Sequence, residues 1–384
     1  MKVGIIGSGG REHALCYAIH KSNEAEEIYC IPGNAGTHEI AKNVDLDINN
    51  FGLLKKFIDK NKIDIVIIGP ERPLVEGIVD FLQLNNIKVF GPNKIASQLE
   101  GSKIFTKNLC EKYKIPTARF GVFENIEKAL KFLDQCKFPI VVKADGLAAG
   151  KGVYICENKK QGGQAVEEIF NGKFGKANEI LIEEFLEGEE MSFFVISDGK
   201  NIKKFGTAQD HKKVGEGDVG VNTGGMGAYS PSRLESDLLD EKILDRIIKP
   251  TLKALEDLNT DFKGFLYAGL MIVDEEPYLI EYNVRMGDPE CQTILPRLKT
   301  NFFKVVEAVI NENLSHIDLN WSDSKTLSIV QCANGYPETY KNGKEIKNLD
   351  KVILTENQFI FHAGTKINDT KIKLKKPYAG TSNH

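Results

Sequence analysis

In the stretch Tyr278-Leu279-Ile280-Glu281-Tyr282-Asn283-Val284-Arg285-Met286-Gly287-Asp288-Pro289-Glu290, a carboxylate, a carboxamide and a guanidinium recur at every second position. Read as a strand, its period of two sets Glu281, Asn283 and Arg285 on one face and Ile280, Tyr282, Val284 and Met286 on the other. Paired oxygen donors of this kind suit a hard cation such as Mg²⁺, and the guanidinium next in line grips phosphate or carboxylate oxygens bidentately. The combination suits phosphoryl transfer. Alone, E-x-N-x-R more often marks a half-exposed strand whose polar face meets water, so the reading depends on what the rest of the chain supplies.

Two glycine-rich stretches supply it. Lys143-Ala144-Asp145-Gly146-Leu147-Ala148-Ala149-Gly150-Lys151-Gly152-Val153 lacks the spacing and the Ser or Thr of a Walker loop. Its strand, small-residue loop and strand pattern fits a flap closing over phosphates through backbone amides, with Lys143 and Lys151 adding charge. Gly7-Ser8-Gly9-Gly10-Arg11-Glu12-His13 follows the apolar run Val3–Ile6 and opens a helix, yet Glu12 stands where a dinucleotide fingerprint needs its third glycine. The second strand also ends Cys30-Ile31-Pro32-Gly33, without the acid that would hold a ribose. Both departures argue against nicotinamide or flavin. A helix N-terminus with Arg11 beside it favours a phosphate-bearing substrate instead.

Apolar runs at Ile28–Ile31, Ile63–Ile68 and Ile87–Phe90 alternate with helical patterns around 51–60 and 74–84, which predicts a parallel sheet wrapped by helices. Loops at the carboxyl ends of such strands line the ligand crevice, which places Asn34 of Pro32–Thr37 and Glu71 of Gly69–Pro73 where sugar hydroxyls are read. A second unit follows, with a helix over 125–134 and a strand over 139–143. The strand Ile180-Leu181-Ile182-Glu183-Glu184-Phe185-Leu186 can offer backbone groups to an adenine edge. Strands at 191–197 and 201–205 lead to a long glycine-rich loop from Gln209 to Tyr229, of a length that usually carries function. A helix over 235–256 and a strand over 264–274, the latter without an acid, precede the opening stretch.

A length of 384 residues implies two to four subdomains. With 41% hydrophobic residues, 27% charged residues and a net charge of -4 from interspersed acids and bases, no polybasic surface is available for nucleic acid or membrane. Small molecules are the expected partners, and a monomer or weak dimer the expected state. Seven cysteines without a C-x-x-C pair point to reduced thiols, and the opening MKVGIIG lacks a charged n-region with an apolar h-region. The expected compartment is cytoplasmic.

Taken together, GSGGREH, PGNAGT, GPERPL, LEGSKIFTK, KADGLAAGKGV, IEEFLEGEE, QDHKK, NTGGMGAYSP, GFLYAGLMI and EYNVRMGDPE closely resemble, in order, the phosphoribosylamine–glycine ligase (glycinamide ribonucleotide synthetase) family of ATP-grasp enzymes. The resemblance spans residues 1 to about 335. It implies a doubly wound parallel-sheet domain over 1–100, an ATP-grasp domain over 101–325 with a flap subdomain at about 118–182, and a small C-terminal domain over 326–384. The implied reaction joins glycine to 5-phosphoribosylamine with ATP, through glycyl phosphate, in purine biosynthesis.

Carried onto this sequence, the resemblance makes Lys103 and Lys143 the nucleotide-phosphate lysines, with Gly146, Gly150, Lys151 and Gly152 in the covering flap. Glu183, Glu184, Phe185 and Leu186 become the adenine edge, Glu190 the ribose ligand, and Glu281 and Asn283 the holders of Mg²⁺ or Mn²⁺. Arg285 becomes the clamp on the transferring group. Gly9, Gly10, Arg11, Asn34, Glu71, Asp288 and Glu290 are implied to meet phosphoribosylamine, and Asp210 the glycine ammonium.

The sequence also departs from the family pattern. Tyr282 and Met286 replace phenylalanines, Lys213 replaces an arginine, and the family's strand and helix after HAGT give way to the short ending 376–384, so the last domain is expected to be incomplete. An ATP-grasp ligase with another amine acceptor, a nucleotide-binding module without turnover and an oxidoreductase are the alternatives.

Overall fold

The computed structural model describes residues 1–147, 152–175, 177–217, 219–368 and 371–374. Gly150 and Lys151 of the flap, and the ending 376–384, lie outside the described residues.

The apolar runs near the N-terminus form β1 (Lys2–Gly7), β2 (Glu27–Pro32), β3 (Lys42–Asn43), β4 (Ile65–Ile68) and β5 (Lys88–Phe90), a parallel sheet in the order β3-β2-β1-β4-β5. Buried on both faces, β4 reads as a continuous Ile-Val-Ile-Ile run, as central parallel strands do. The helices are α1 (Gly10–Lys21), α2 (Phe51–Asn61), α3 (Glu71–Glu76), α4 (Ile78–Leu84), α5 (Gln98–Gly101) and α6 (Lys103–Tyr113). The helix expected over 74–84 is two helices, because Gly77 sits at φ +94°, a left-handed conformation that ends one and starts the next. Glu71 therefore opens a helix and does not lie in a loop.

Next come β6 (Phe120–Phe123), α7 (Ile126–Leu133), β7 (Ile140–Ala144), β8 (Val153–Cys156), α8 (Lys159–Phe170) and β9 (Ile180–Glu184). Their antiparallel sheet, in the order β6-β9-β7-β8, covers its own apolar cluster around Leu133, Val142, Val166 and Ile182. The expected hairpin around the flap loop is β7 paired with β8.

The strands β10 (Glu189–Asp198), β11 (Ile202–Asp210), β12 (Lys213–Gly215), β13 (Val219–Asn222) and β14 (Gly227–Ser230) follow. The stretch expected to be a long loop is thus mostly strand and hairpin, since Gly215 and Gly220 let β12 and β13 pack closely and β14 pairs with β11. After a helix running through Asp237–Ile243, Leu244–Ile248 and Lys249–Asp257 come β15 (Lys263–Val273), β16 (Glu276–Asn283) and, later, β17 (Thr326–Ile329). These complete a six-stranded sheet in the order β16-β15-β10-β11-β14-β17. Its apolar residues merge with those of the N-terminal sheet: Ile6 and Val66 share a core with Val195 and Leu270. Gly264 passes within side-chain distance of Gly91, so the two sheets pack there backbone to backbone.

The opening stretch needs one correction. The β15–β16 register slips between Gly269 and Leu270, whose partners are Glu281 and Leu279, so Ile280 is an extra residue. The bulge reverses the alternation. Leu279 joins the core, whereas Ile280, expected on the packed face, is half-buried and lines a cavity beside Glu281. Tyr282, Val284 and Met286 are buried as expected.

Candidate nucleotide and substrate site

Asp145, just past β7, accepts hydrogen bonds from the Ile104 amide at 3.2 Å and from the Ser102 hydroxyl, which caps the start of α6. This joint brings Lys103 against the flap, where its ammonium donates to the Gly146 carbonyl at 2.9 Å. Gly152 closes the other side, its carbonyl accepting from the Ala144 amide at 2.8 Å. Lys143, on β7, meets Glu183 of β9 at 2.9 Å.

Glu281 lies where this cationic group meets the bulged strand. Burial opposes its charge, but Lys212, Lys143, Lys103 and Arg285 outweigh it and hold the carboxyl below the usual carboxylate range. Lys143, Lys212 and Arg285 also pair with Glu183, Glu190, Glu71 and Glu100, whereas Lys103 donates to a neutral carbonyl, which leaves its charge suited to a polyanion. Asn283 follows two residues on along the strand, paired with Tyr267 of β15. Among the described residues no group of three or more His, Cys, Asp or Glu gathers to hold a metal. The donor set therefore fits a hard cation only if phosphate oxygens or water complete its shell.

The cavity that Glu281 lines is also lined by Ser192, Asp210, Lys212 and Tyr267. Ser192 donates to Glu290 at 3.3 Å and lies 2.9 Å from the Tyr267 hydroxyl. Burial raises the Asp210 carboxyl well above the usual range, and the charge of Glu290 raises it further. Its Oδ1 is buried without a hydrogen-bond partner. Gly225, at φ +121°, lets the NTGG loop press close, since a Cβ there would lie 2.9 Å from that oxygen. A small cation with several N–H donors would complete this acidic corner. Lys212 also reaches Glu190 at 3.0 Å.

At the N-terminal sheet the helix start is already engaged. Glu12 accepts from the Gly9 amide at 2.5 Å, and Asp288 from the Arg11 amide at 3.0 Å. Glu12 thus caps α1, and it fits because Gly7 and Gly69 leave room that a Cβ at either position would take. The helix N-terminus expected to meet a phosphate therefore has these two amides already engaged. The Arg11 guanidinium, 2% exposed, binds Glu12 at 2.6 Å and the Met286 carbonyl at 3.2 Å. The Asn34 amide nitrogen faces the carbonyls of Ser8, Gly9 and His362 at 3.1, 3.2 and 2.7 Å, and its oxygen accepts from the Gly36 and Thr37 amides. Asn34 therefore staples three loops together. Gly10 lies against Gln292, where a Cβ would fall 2.4 Å from the amide nitrogen.

Arg285 links the two regions. Its Nε lies 3.3 Å from Glu71 and its Nη2 2.7 Å from Glu100, a carboxylate given no role in the sequence reading. Burial pushes the Glu100 carboxyl up to about 7, with Arg285 pulling the other way. Burial likewise raises Asp288 to about 6 against the attraction of Arg11.

The structure therefore gathers Lys103, Lys143, Gly146, Gly152, Glu183 and Glu281 in one place, and Gly9, Gly10, Arg11, Asn34, Glu71, Asp288 and Arg285 in a second. Glu290 lies between the two, its charge acting on Arg285 of the second group and on Asp210. Glu184 turns outward to Arg119 at 3.0 Å, and Phe185 and Leu186 are half-buried in the connection to β10. Sequence reading left Lys107, Lys212, Glu100, Ser192 and Tyr267 without roles. The charged residues among them lie within LEGSKIFTK and QDHKK, and Tyr267 within GFLYAGLMI, where motif membership was a signal, whereas nothing local marks Ser192.

Residues 1–100 match the family description phosphoribosylglycinamide synthetase, N domain, and residues 101–291 the ATP-grasp (A) domain of the same synthetase. A phosphoribosylamine–glycine ligase of Mesorhizobium japonicum is 48% identical over 96% of this chain and 87% of its own length. One from Caldanaerobacter subterraneus is 45% identical over 97% and 89%. The crystal structure of the Thermotoga maritima phosphoribosylamine–glycine ligase superposes with a TM-score of 0.85 at 33% identity, covering 99% of this chain and 91% of that one. A biotin carboxylase domain from Hydrogenobacter thermophilus, with a TM-score of 0.70 at 16% identity over 98% of this chain and 86% of that one, shares the fold.

Proposed function

We propose the reaction from one premise, that this chain belongs to the phosphoribosylglycinamide synthetase family: it joins glycine to 5-phosphoribosylamine at the expense of ATP, giving glycinamide ribonucleotide, ADP and phosphate. The observation that carries the reading is a group of cations beside an acidic corner. Lys103, Lys143, Lys212 and Arg285 act on Glu281, and Asp210, under the charge of Glu290, lines the same cavity as Glu281 and Lys212. A polyphosphate and an amino-acid ammonium can lie side by side there, as transfer of a phosphoryl group to a glycine carboxylate requires.

On this reading residues 101–325 take the nucleotide. Lys103 and Lys143 neutralise its phosphates beneath the flap that includes Gly146, Gly150, Lys151 and Gly152. Glu183 to Leu186 run along the adenine, and Glu190 meets the ribose. Glu281 and Asn283 would hold Mg²⁺ or Mn²⁺, which when bound offsets charge on the phosphoryl group in flight. Asp210 holds the glycine ammonium, with Glu290 beside it. The γ-phosphoryl passes to the glycine carboxylate, and a closed flap keeps water from the resulting glycyl phosphate.

Residues 1–100 present the amine. The loops bearing Gly9 and Asn34 and the helix starts at Gly10 and Glu71 orient phosphoribosylamine, with Arg11 and Asp288 fixing them. Its nitrogen attacks the glycyl carbonyl, phosphate leaves, and a proton is lost from nitrogen. Arg285, set between Glu71 and the nucleotide group, steadies the departing charge. Catalysis by positioning and electrostatics needs no covalent nucleophile. Among the described residues no helix is long and apolar enough to cross a membrane. We place the enzyme in the cytoplasm as a monomer or weak dimer.

The test is ADP release with Mg²⁺-ATP and glycine, with and without phosphoribosylamine. Release that depends on both glycine and the amine is expected. ATP turnover indifferent to the amine would overturn the assignment.

A further inference from the structure

We infer that Lys107 is a positioning residue for Lys143, acting through Glu183, and that Thr117 joins this chain of contacts to the strand carrying Glu281; the inference rests on the nucleotide site proposed above. Lys107 follows Lys103 by four residues on α6, so the two ammoniums rise from one helix face. Their fates differ. The Lys107 side chain is 4% exposed, and its ammonium lies 3.0 Å from Glu183 Oε2, donates to the Thr117 hydroxyl at 2.5 Å and sits 5.5 Å from the Phe120 ring centre. Committed on these sides, it has no opening through which to meet a ligand.

Glu183 divides its carboxylate. Oε2 faces Lys107 and Oε1 faces Lys143 at 2.9 Å, with both ends nearly sealed from water. Burying three charges is costly, and an apolar trio of similar volume would serve stability as well or better. What the trio supplies is a single net positive charge. With Lys107 present, Glu183 is shared and Lys143 is only partly neutralised, leaving it able to attract phosphate. Without Lys107, the carboxylate would neutralise Lys143 alone and draw it away from the nucleotide.

Thr117 extends the path. Its hydroxyl donates to the Leu279 carbonyl at 2.6 Å, and the Leu279 amide donates to the Pro116 carbonyl at 2.8 Å. Leu279 stands where the strand register slips and Ile280 and Glu281 turn into the cavity. One buried polar path therefore runs from β7 through β9 and α6 to β16, fixing the phosphate lysine and the proposed metal carboxylate relative to each other.

A binding cycle tests this without requiring turnover. ADP affinity is measured by calorimetry, with and without Mg²⁺, for the wild type, Lys107→Met, Lys143→Met and the double variant. Lys107→Met is expected to weaken metal-free ADP about tenfold in the wild-type background and less than about threefold in the Lys143→Met background. Equal losses in both backgrounds, or wild-type affinity in Lys107→Met, would overturn the inference. Should Lys107→Met not fold, Thr117→Val carries the test, because it keeps the shape and every charge. It is expected to lower Mg²⁺-ADP affinity about threefold while glycine KM is unchanged, and wild-type behaviour overturns the link to β16. A wild type that binds ADP but ligates no glycine would fail the proposed function while leaving the cycle decisive. A wild type that binds no ADP would sink both.

Discussion

Replacing Glu281 by glutamine keeps the side chain's shape and an oxygen donor but removes the negative charge that Lys212, Lys143, Lys103 and Arg285 surround. Two effects of opposite sign follow. A group touching a metal has more to lose than the outer partners of metal ligands, whose removal costs about 10- to 100-fold in affinity. The Mg²⁺ needed for half-maximal ADP release is therefore expected to rise at least about 100-fold, equivalent to about 3 kcal/mol. Metal-free ADP should respond the other way. At an effective dielectric of about 20, a carboxylate and a phosphate charge about 6 Å apart repel by up to roughly 3 kcal/mol, so removing the carboxylate should tighten the metal-free complex. The assay is calorimetric titration of ADP in chelator and in Mg²⁺, together with ADP release against Mg²⁺ concentration. A Glu281→Gln variant with the wild-type Mg²⁺ requirement and weaker metal-free ADP binding would refute the placement of the metal and the charge argument alike.

Asp210→Asn is expected to raise the glycine KM about 10- to 100-fold, the worth of a hydrogen bond to a charged group, while ADP affinity stays within about twofold; an unchanged KM would remove Asp210 from the glycine corner. His13 Nδ1 accepts the His362 amide at 2.8 Å, and burial, with His362 nearby, lowers its pKa to about 3 from 6.5. The neutral ring's contribution is thus complete above about pH 6.5 and is lost as pH falls toward 3, by roughly 5 kcal/mol in all. His13→Gln keeps an acceptor without a titrating ring, so its stability relative to wild type should rise over that window in pH-dependent denaturant melts, and a constant difference would contradict the argument. Gly264→Ala places a Cβ 3.2 Å from the Gly91 Cα at φ +111°. Strained backbone and overpacking together should cost about 2–4 kcal/mol, read as a lower unfolding midpoint, and an unchanged midpoint would contradict the backbone-to-backbone packing.

What could be read from the sequence was whatever a short span decides. Val3–Ile6 followed by glycines, the apolar runs over 28–31, 63–68 and 87–90, and the hairpin around the flap were legible because period, glycine conformation and helix starts are local matters. Glu12, read as a departure from a cofactor fingerprint, is accounted for by the cap it forms on α1. The family resemblance rested on the same local stretches, each a few residues long. Tertiary structure decided the rest. The register slip at Ile280 depends on how β15 meets β16, and it reverses which apolar side chain is packed. Glu100 meets Arg285 across 185 positions, and Asn34 meets His362 across 328. Glu290 acts on both Asp210 and Arg285, because the turn after β16 delivers it beside Ser192. A pattern in sequence gives a side chain its kind and its face. Which charge stands opposite it is set by the packing of sheets whose strands are far apart along the chain, and the electrostatics of this site depend on those distances.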